Sequence, residues 1–211
     1  MKKLLRLPLL ALTLGCAALA TSSCSKDDSD SLAVQAHDQN AMMTIMHDMM
    51  KDMDAMPSTM DPDHDFAMMM KMHHMGAIKM AQKELASGSN SEMKTFAQNV
   101  VTAQQAEITQ LDAFLSAHQP AAPMVMGFHT EAMESMEKMD RAADLRVISG
   151  NTDRDFAQLM QDHHQSAVEM AQSELKYGRV ASMKTLAQQI IDEQTGEIKT
   201  LQTWLLTNKG Y

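Results

Sequence analysis

Between positions 42 and 56 methionines recur at 42, 46, 49, 53 and 56, spacings of four and three that draw one apolar stripe down a helix. The stripe predicts a helix over 32–56, ended by Pro57, with a loop at 58–62. From 63 the helical period resumes. Phe66, Met70, His73, Ala77, Met80 and Glu84 fall on the inward line, and Ala67, Met70, His74, Ala77 and Ala81 on the line beside it. Asp63 and Asp65 stand where acids cap or favour a first turn. Ser87-Gly88-Ser89-Asn90 reads as a turn, with Gly88 as a left-handed stop. A second long helix is predicted over 91–117, burying Ala97, Val101, Gln104, Ile108, Leu111 and Leu115. After a linker between Pro120 and Pro123 the order returns: a methionine-bearing helix at 127–149, then helices at 153–177 and 181–207. No stretch alternates as a strand would, so the predicted fold class is all-α.

The second half repeats the first at an offset of ninety. Asp63, Asp65, Phe66, Ala67, Met70, His73, His74, Ala77, Met80, Ala81, Gln82 and Glu84 recur without a gap, from Asp153 to Glu174. Downstream, Gln104, Glu107 and Ile108 return as Gln194, Glu197 and Ile198. A repeat constrains the fold before propensity does. Two antiparallel hairpins, 63–117 and 153–207, make a four-helix bundle, with an additional Met-rich helix before each. The expected organisation is a leader at 1–24, a polar tether and Met-rich helix at 25–62, the first hairpin, a linker and helix at 118–152, and the second hairpin.

The leader reading rests on Lys2, Lys3 and Arg6 ahead of an apolar run at 7–14 and then small residues, the layout of a secretory signal. That run is too short for a spanning helix. The chain has two cysteines, Cys16 and Cys24, both in or at the end of this segment, so the mature domain is expected to carry neither a disulfide framework nor a thiolate site. Ser22-Ser23-Cys24-Ser25-Lys26-Asp27-Asp28 looks like a bacterial lipoprotein junction and makes Cys24 the candidate lipidated residue; Cys16 is the other candidate, and cleavage without lipid the plainer alternative. A lipid on Cys24 implies export and anchoring on a membrane surface, at the outer membrane or cell surface, or facing the periplasm.

Charge narrows the partners. Without Lys2, Lys3 and Arg6 there are 15 basic against 27 acidic residues, a net of −12. Nothing would neutralise phosphates, which disfavours nucleic acid. Oligomeric state is not legible.

Methionine changes the picture more: 24 residues, against five Phe, two Tyr and one Trp. Met is a flexible core filler, and also a soft thioether ligand that suits Cu(I). Met70 lies one turn before the His73/His74 pair, and small Ala77 one turn after leaves room near the rings. Gln104 sits on the apolar line of the partner helix where an aliphatic residue would be cheapest, with Glu107 a turn later. Because both anomalies occur twice, they are expected to meet. Two accounts of that meeting stand. In one, the histidines hydrogen-bond to Gln or Glu and set helix register, without metal. In the other, a metal is bound by Met70, His73, His74, Met80 and Glu107 in the first copy, and by Met160, His163, His164, Met170 and Glu197 in the second. Thioether plus imidazole favours copper, Cu(I) first, with Cu(II) or zinc as alternatives. Met43, Met46, His47 and Met50 form a candidate auxiliary metal cluster, and Met68, Met69, Met72 and Met75 crowd the motif helix, several of them expected to be exposed, which makes exposed methionine an auxiliary Cu(I) candidate there too.

At these residues the chain resembles the domain of unknown function 305 family. The pattern Asp-x-x-Phe-x-x-x-Met-x-x-His-His-x-x-Ala-x-x-Met-Ala, followed by Gln-x-x-Glu-Ile and an aromatic-Leu ending, fits Asp63 to Ala81 with Gln104, Glu107 and Ile108. It fits again from Asp153 to Ala171 with Gln194, Glu197, Ile198 and Trp204-Leu205. The resemblance implies a ferritin-like helical bundle, exported, with copper binding and tolerance among some relatives and no established activity for the family. It gives no role to the Met-rich segment before 60. Three functions compete: an exported copper-binding lipoprotein for sequestration or tolerance, a non-catalytic structural or interaction lipoprotein, and a ferritin-like di-metal oxidase. The oxidase is disfavoured, because such sites want Glu-x-x-His and the residue three before His73 is Met70. No catalytic residue is expected.

Overall fold

A computed structural model of the chain describes residues 34–121 and 123–209. The leader, the tether and both cysteines, Cys24 included, lie outside the described residues. The described residues form six helices and no strand: α1 (Ala41–Asp54), α2 (Pro62–Ser87), α3 (Ser91–Ala117), α4 (Met126–Asp144), α5 (Thr152–Tyr177) and α6 (Ala181–Thr207), with a 3-10 turn at His37–Gln39. The all-α expectation stands, and two ends move. α1 begins at Ala41 rather than 32, because the Asn40 side chain accepts from the backbone N–H of Met42 and Met43 and so caps the helix there. α4 stops at Asp144 rather than 149, because Ser149 and Gly150 donate their backbone N–H groups to the Asp155 carboxylate instead of continuing the helix.

The motif aspartates do something other than the expected first-turn capping. α2 is capped by Asp61, with Pro62 at the first helical position, where its missing N–H costs nothing. Asp63 reaches across the molecule and accepts from the backbone N–H of Arg179 (2.9 Å) and Val180 (2.7 Å) in the α5–α6 turn. Asp153 does the reverse, accepting from Ser89 N (2.9 Å), Ser89 Oγ (2.7 Å) and Asn90 N (2.8 Å) in the α2–α3 turn. Burial works to raise the Asp153 pKa, but these bonds outweigh it and hold the carboxyl below its usual value. The start of each motif helix is thus tied to the end of the other, which makes α2 and α5 antiparallel.

The turn glycines are needed for space, not for a left-handed backbone. Gly88 has φ −66° and Gly178 φ −62°, ordinary values for any residue. A Cβ at either would overlap the carboxyl of Glu84 or Glu174, which folds back over the turn.

α2 and α5 pack on each other at the centre, α3 packs on α2, and α6 on α5. α4 covers α5, while α1 lies mainly on α2 with lesser contacts to α4 and α5. The two hairpins therefore meet through their motif helices. Edge-on aromatic pairs, Phe66 with Phe128 and Phe96 with Phe156, link elements of different copies, each at 6.2 Å between centroids. α1 buries Met42, Met43, Met46, Met49, Met50 and Met53. At ~1.5–3 kcal/mol for each large side chain buried, that face alone accounts for its adhesion. Among the described residues, no helix is long and apolar enough to cross a membrane.

Candidate metal centre

His73 and His74 project from the middle of α2, and His163 and His164 from the middle of α5. Because those helices are antiparallel and in contact, the two pairs converge. All four imidazoles are fully buried. The His73 and His163 rings lie 3.7 Å apart between centroids, tilted by 42°. The ligands assigned copy by copy from the sequence are thus not far apart: the fold brings the histidine pairs of both copies together.

The outer member of each pair meets its hairpin partner. His74 Nε2 is 2.8 Å from Glu107 Oε2, and His164 Nε2 is 2.8 Å from Glu197 Oε2. The expected encounter of His-His with Gln-x-x-Glu therefore occurs, through the glutamate. These approaches are close but lack hydrogen-bond alignment: all eight ring nitrogens of the four histidines are buried without a hydrogen-bond partner. Both side-chain polar atoms of Gln104 and of Gln194 are in the same state. Buried polar atoms are overwhelmingly paired in folded proteins, so a dozen orphans in one constellation call for a physical reason. Lone pairs meant for a cation supply one. A register device would need the nitrogens bonded to Gln or Glu; only His74 and His164 approach a glutamate, and neither His73 nor His163 has a hydrogen-bond partner.

Electrostatics points the same way. Burial, then the neighbouring imidazoles His74 and His164, holds His73 well below the ordinary histidine pKa. Burial, then His73, His164 and His74, does the same to His163. Both rings are neutral at physiological pH, the form in which imidazole binds metal.

The other predicted residues divide. Met70, Met80, Met160 and Met170 are fully buried on the motif helices. Glu107 and Glu197 reach the outer histidines as described. Of the auxiliary cluster on α1, Met43, Met46 and Met50 are buried, while His47 is exposed and its Nε2 lies 3.1 Å from Asp144 Oδ1. The extra motif-helix methionines are not surface groups as a set. Met75 is 45% exposed, but Met69 is buried and Met68 and Met72 are half-buried, because α1 and α4 cover that side of α2.

Two residues were missed. A Cβ on Gly76 would overlap Met49 Sδ and sit 3.4 Å from His163 Nε2. Gly76 therefore opens a gap in α2 through which a thioether from α1 reaches the edge of the histidine centre. The signal was present, since Gly76 is a glycine inside a helix and the second copy has Ser166 there, but no one-helix periodicity connects it to Met49.

A family model described as Domain of unknown function (DUF305) matches residues 17–115 and 63–205. The chain belongs to this family. No curated protein matches it significantly. Among solved structures, CopM in the Cu(I)-bound form is 29% identical, with 70% of this chain and 98% of CopM covered and a TM-score of 0.53. CopM in the Cu(II)-bound form is 32% identical over 69% of this chain and 96% of that one, also with a TM-score of 0.53. A DUF305 fragment from Deinococcus radiodurans is 25% identical over 68% of this chain and 95% of its own, with a TM-score of 0.51.

Proposed function

We propose that this DUF305 protein binds copper at the histidine centre between α2 and α5, and that it sequesters the metal rather than catalysing a reaction. The observation that carries the reading is the set of eight buried, unpartnered imidazole nitrogens contributed equally by the two copies. His73 and His163 supply the innermost donors, with His74 and His164 beside them, and the Glu107 and Glu197 carboxylates offset positive charge from the hairpin partners. Among the described residues, no three His, Cys, Asp or Glu side chains form a metal cage. A cation here takes its remaining donors from sulfur, which favours Cu(I) over zinc. Met49, whose Sδ and His163 Nε2 both border the gap at Gly76, is one candidate thioether, and the fully buried Met70, Met80, Met160 and Met170 are others. CopM, similar over nearly its whole length, occurs in Cu(I)-, Cu(II)- and Ag-bound forms. Export with a lipid on Cys24 belongs to this proposal, since sequestration at a cell surface keeps copper out of the cell.

The competing reading, a structural protein whose histidines only set register, is favoured by the close His74–Glu107 and His164–Glu197 approaches. A competition titration with a chromophoric Cu(I) chelator separates the two. His73→Ala with His163→Ala is expected to abolish the tightest binding while thermal unfolding stays cooperative. Unchanged Cu(I) affinity in that variant would overturn the copper reading.

A further inference from the structure

Away from the histidine centre, a second cavity lies between the end of α1, the first turns of α2 and the start of α4. Met53, Met56, Met68, Met69, Met133 and His129 line it. Its volume is about 10 Å³, room for one particle of the size of a water molecule or an ion. The lining is chemically one-sided. Five methionines line it beside Pro57 and Ser58, and His129 Nδ1 is buried without a hydrogen-bond partner. The one carboxylate in the wall, Asp65, is already engaged by Ser58 Oγ (2.5 Å), Thr59 N (2.8 Å), Thr59 Oγ1 (2.6 Å) and Met60 N (3.0 Å). It supplies charge compensation but no free hard donor. Such a donor set suits a soft monovalent cation and suits zinc or magnesium poorly.

The second copy is an internal control. Ninety positions on, Met53, Met56, Met68 and Met69 are replaced by Ala143, Arg146, Gln158 and Leu159. Arg146 there makes a bidentate pair with Asp162, at 2.8 and 2.7 Å. At these four positions the second copy closes without sulfur, although Met133 has Met43 as its counterpart, so packing does not demand a thioether at each of the four.

We propose that this cavity is a second, independent Cu(I) site, in which His129 Nδ1 and two or three of the five thioethers hold one ion. It extends the copper reading of this protein but does not use the histidine centre. The test follows the methyl resonances of the protein labelled with [methyl-13C]methionine as Ag(I), a redox-silent soft cation, is added. The methyls of Met53, Met56, Met68, Met69 and Met133 are expected to shift, and to do so equally in the His73→Ala/His163→Ala variant. A triple variant, Met68→Gln, Met69→Leu and His129→Gln, adopts the second copy's residues at 68 and 69. It is expected to lose one bound equivalent and keep cooperative unfolding. Methyls that stay still, that shift only while the histidine centre is intact, or that shift equally with Zn(II) would each overturn the site. Full stoichiometry in the triple variant would do the same. If the cavity binds Ag(I) while the histidine variant binds as wild type, the central proposal fails and this one survives.

Discussion

The two halves of the bundle share a framework and differ in what they place on one flank of it. Both have the crossed aspartate, the folded-back glutamate over a turn glycine, the histidine pair and the outer glutamate. On the side where α1 and α4 cover α2, the first half has Met56, Met60, Met68, Met69, Met72 and Met75. The second has Arg146, Gly150, Gln158, Leu159, Asp162 and Gln165 at the corresponding places. One half solves that flank with an ion pair and amides, the other with sulfur. Both solutions fold, so the difference reports on chemistry rather than stability. The comparison separates the residues the fold requires from those it merely accommodates.

The shared framework should dominate the pH dependence of stability. Burial, then hydrogen bonding to and repulsion by Asp153, raises the Glu84 pKa to about 8. Burial and Asp63 raise that of Glu174 to about 9. Each therefore holds its proton at neutral pH and can donate it to the neighbouring aspartate. In the unfolded chain both release it near pH 4.5, so stability is fully present below that value and is lost as pH rises through about 8 and 9. With ~1.4 kcal/mol per displaced unit, this is the largest effect expected. Urea unfolding from pH 5 to 9 should show a steady decline that Glu84→Gln with Glu174→Gln flattens. A wild-type stability that is level or rises over that range would contradict the arrangement.

The halves should part company at the paired positions 76 and 166. Gly76→Ala pushes on Met49 and His163 and is expected to cost ~1–3 kcal/mol, as overpacking does. It should also weaken Cu(I) binding. Ser166→Ala removes only a hydroxyl whose Oγ lies 3.2 Å from Met136 Sδ, with an expected cost below ~1 kcal/mol. Equal costs from thermal unfolding would mean that the centre is symmetric after all.

The smallest effect concerns the corner before each motif helix. Met60 holds φ +60° where the second copy has Gly150 at φ +76°. A non-glycine residue there is strained, and Met60→Gly should stabilise the protein by up to ~1 kcal/mol. A loss of stability would show that the Met60 side chain contributes packing that outweighs its backbone strain.

Local pattern was enough for much of this protein. The ninety-residue repeat, the six helices, the turn positions and the paired histidines on an inward face follow from spacing and side-chain size, which act within one helix or one turn. The anomalous Gln104 and Glu107 were legible as misfits for the same reason. Other features depended on elements distant in the chain. The crossing of Asp63 and Asp153, the convergence of His73 on His163, and the reach of Met49 through the gap at Gly76 need α1, α2 and α5 docked in one antiparallel arrangement. No single-helix period encodes that arrangement. Gly88 shows the limit most simply: its place in a turn was readable, but its reason, the Glu84 carboxyl folded over it, required the three-dimensional path of a side chain four residues away. The same applies to His129, an unremarkable residue in sequence. Tertiary packing alone placed it in one cavity wall with five methionines.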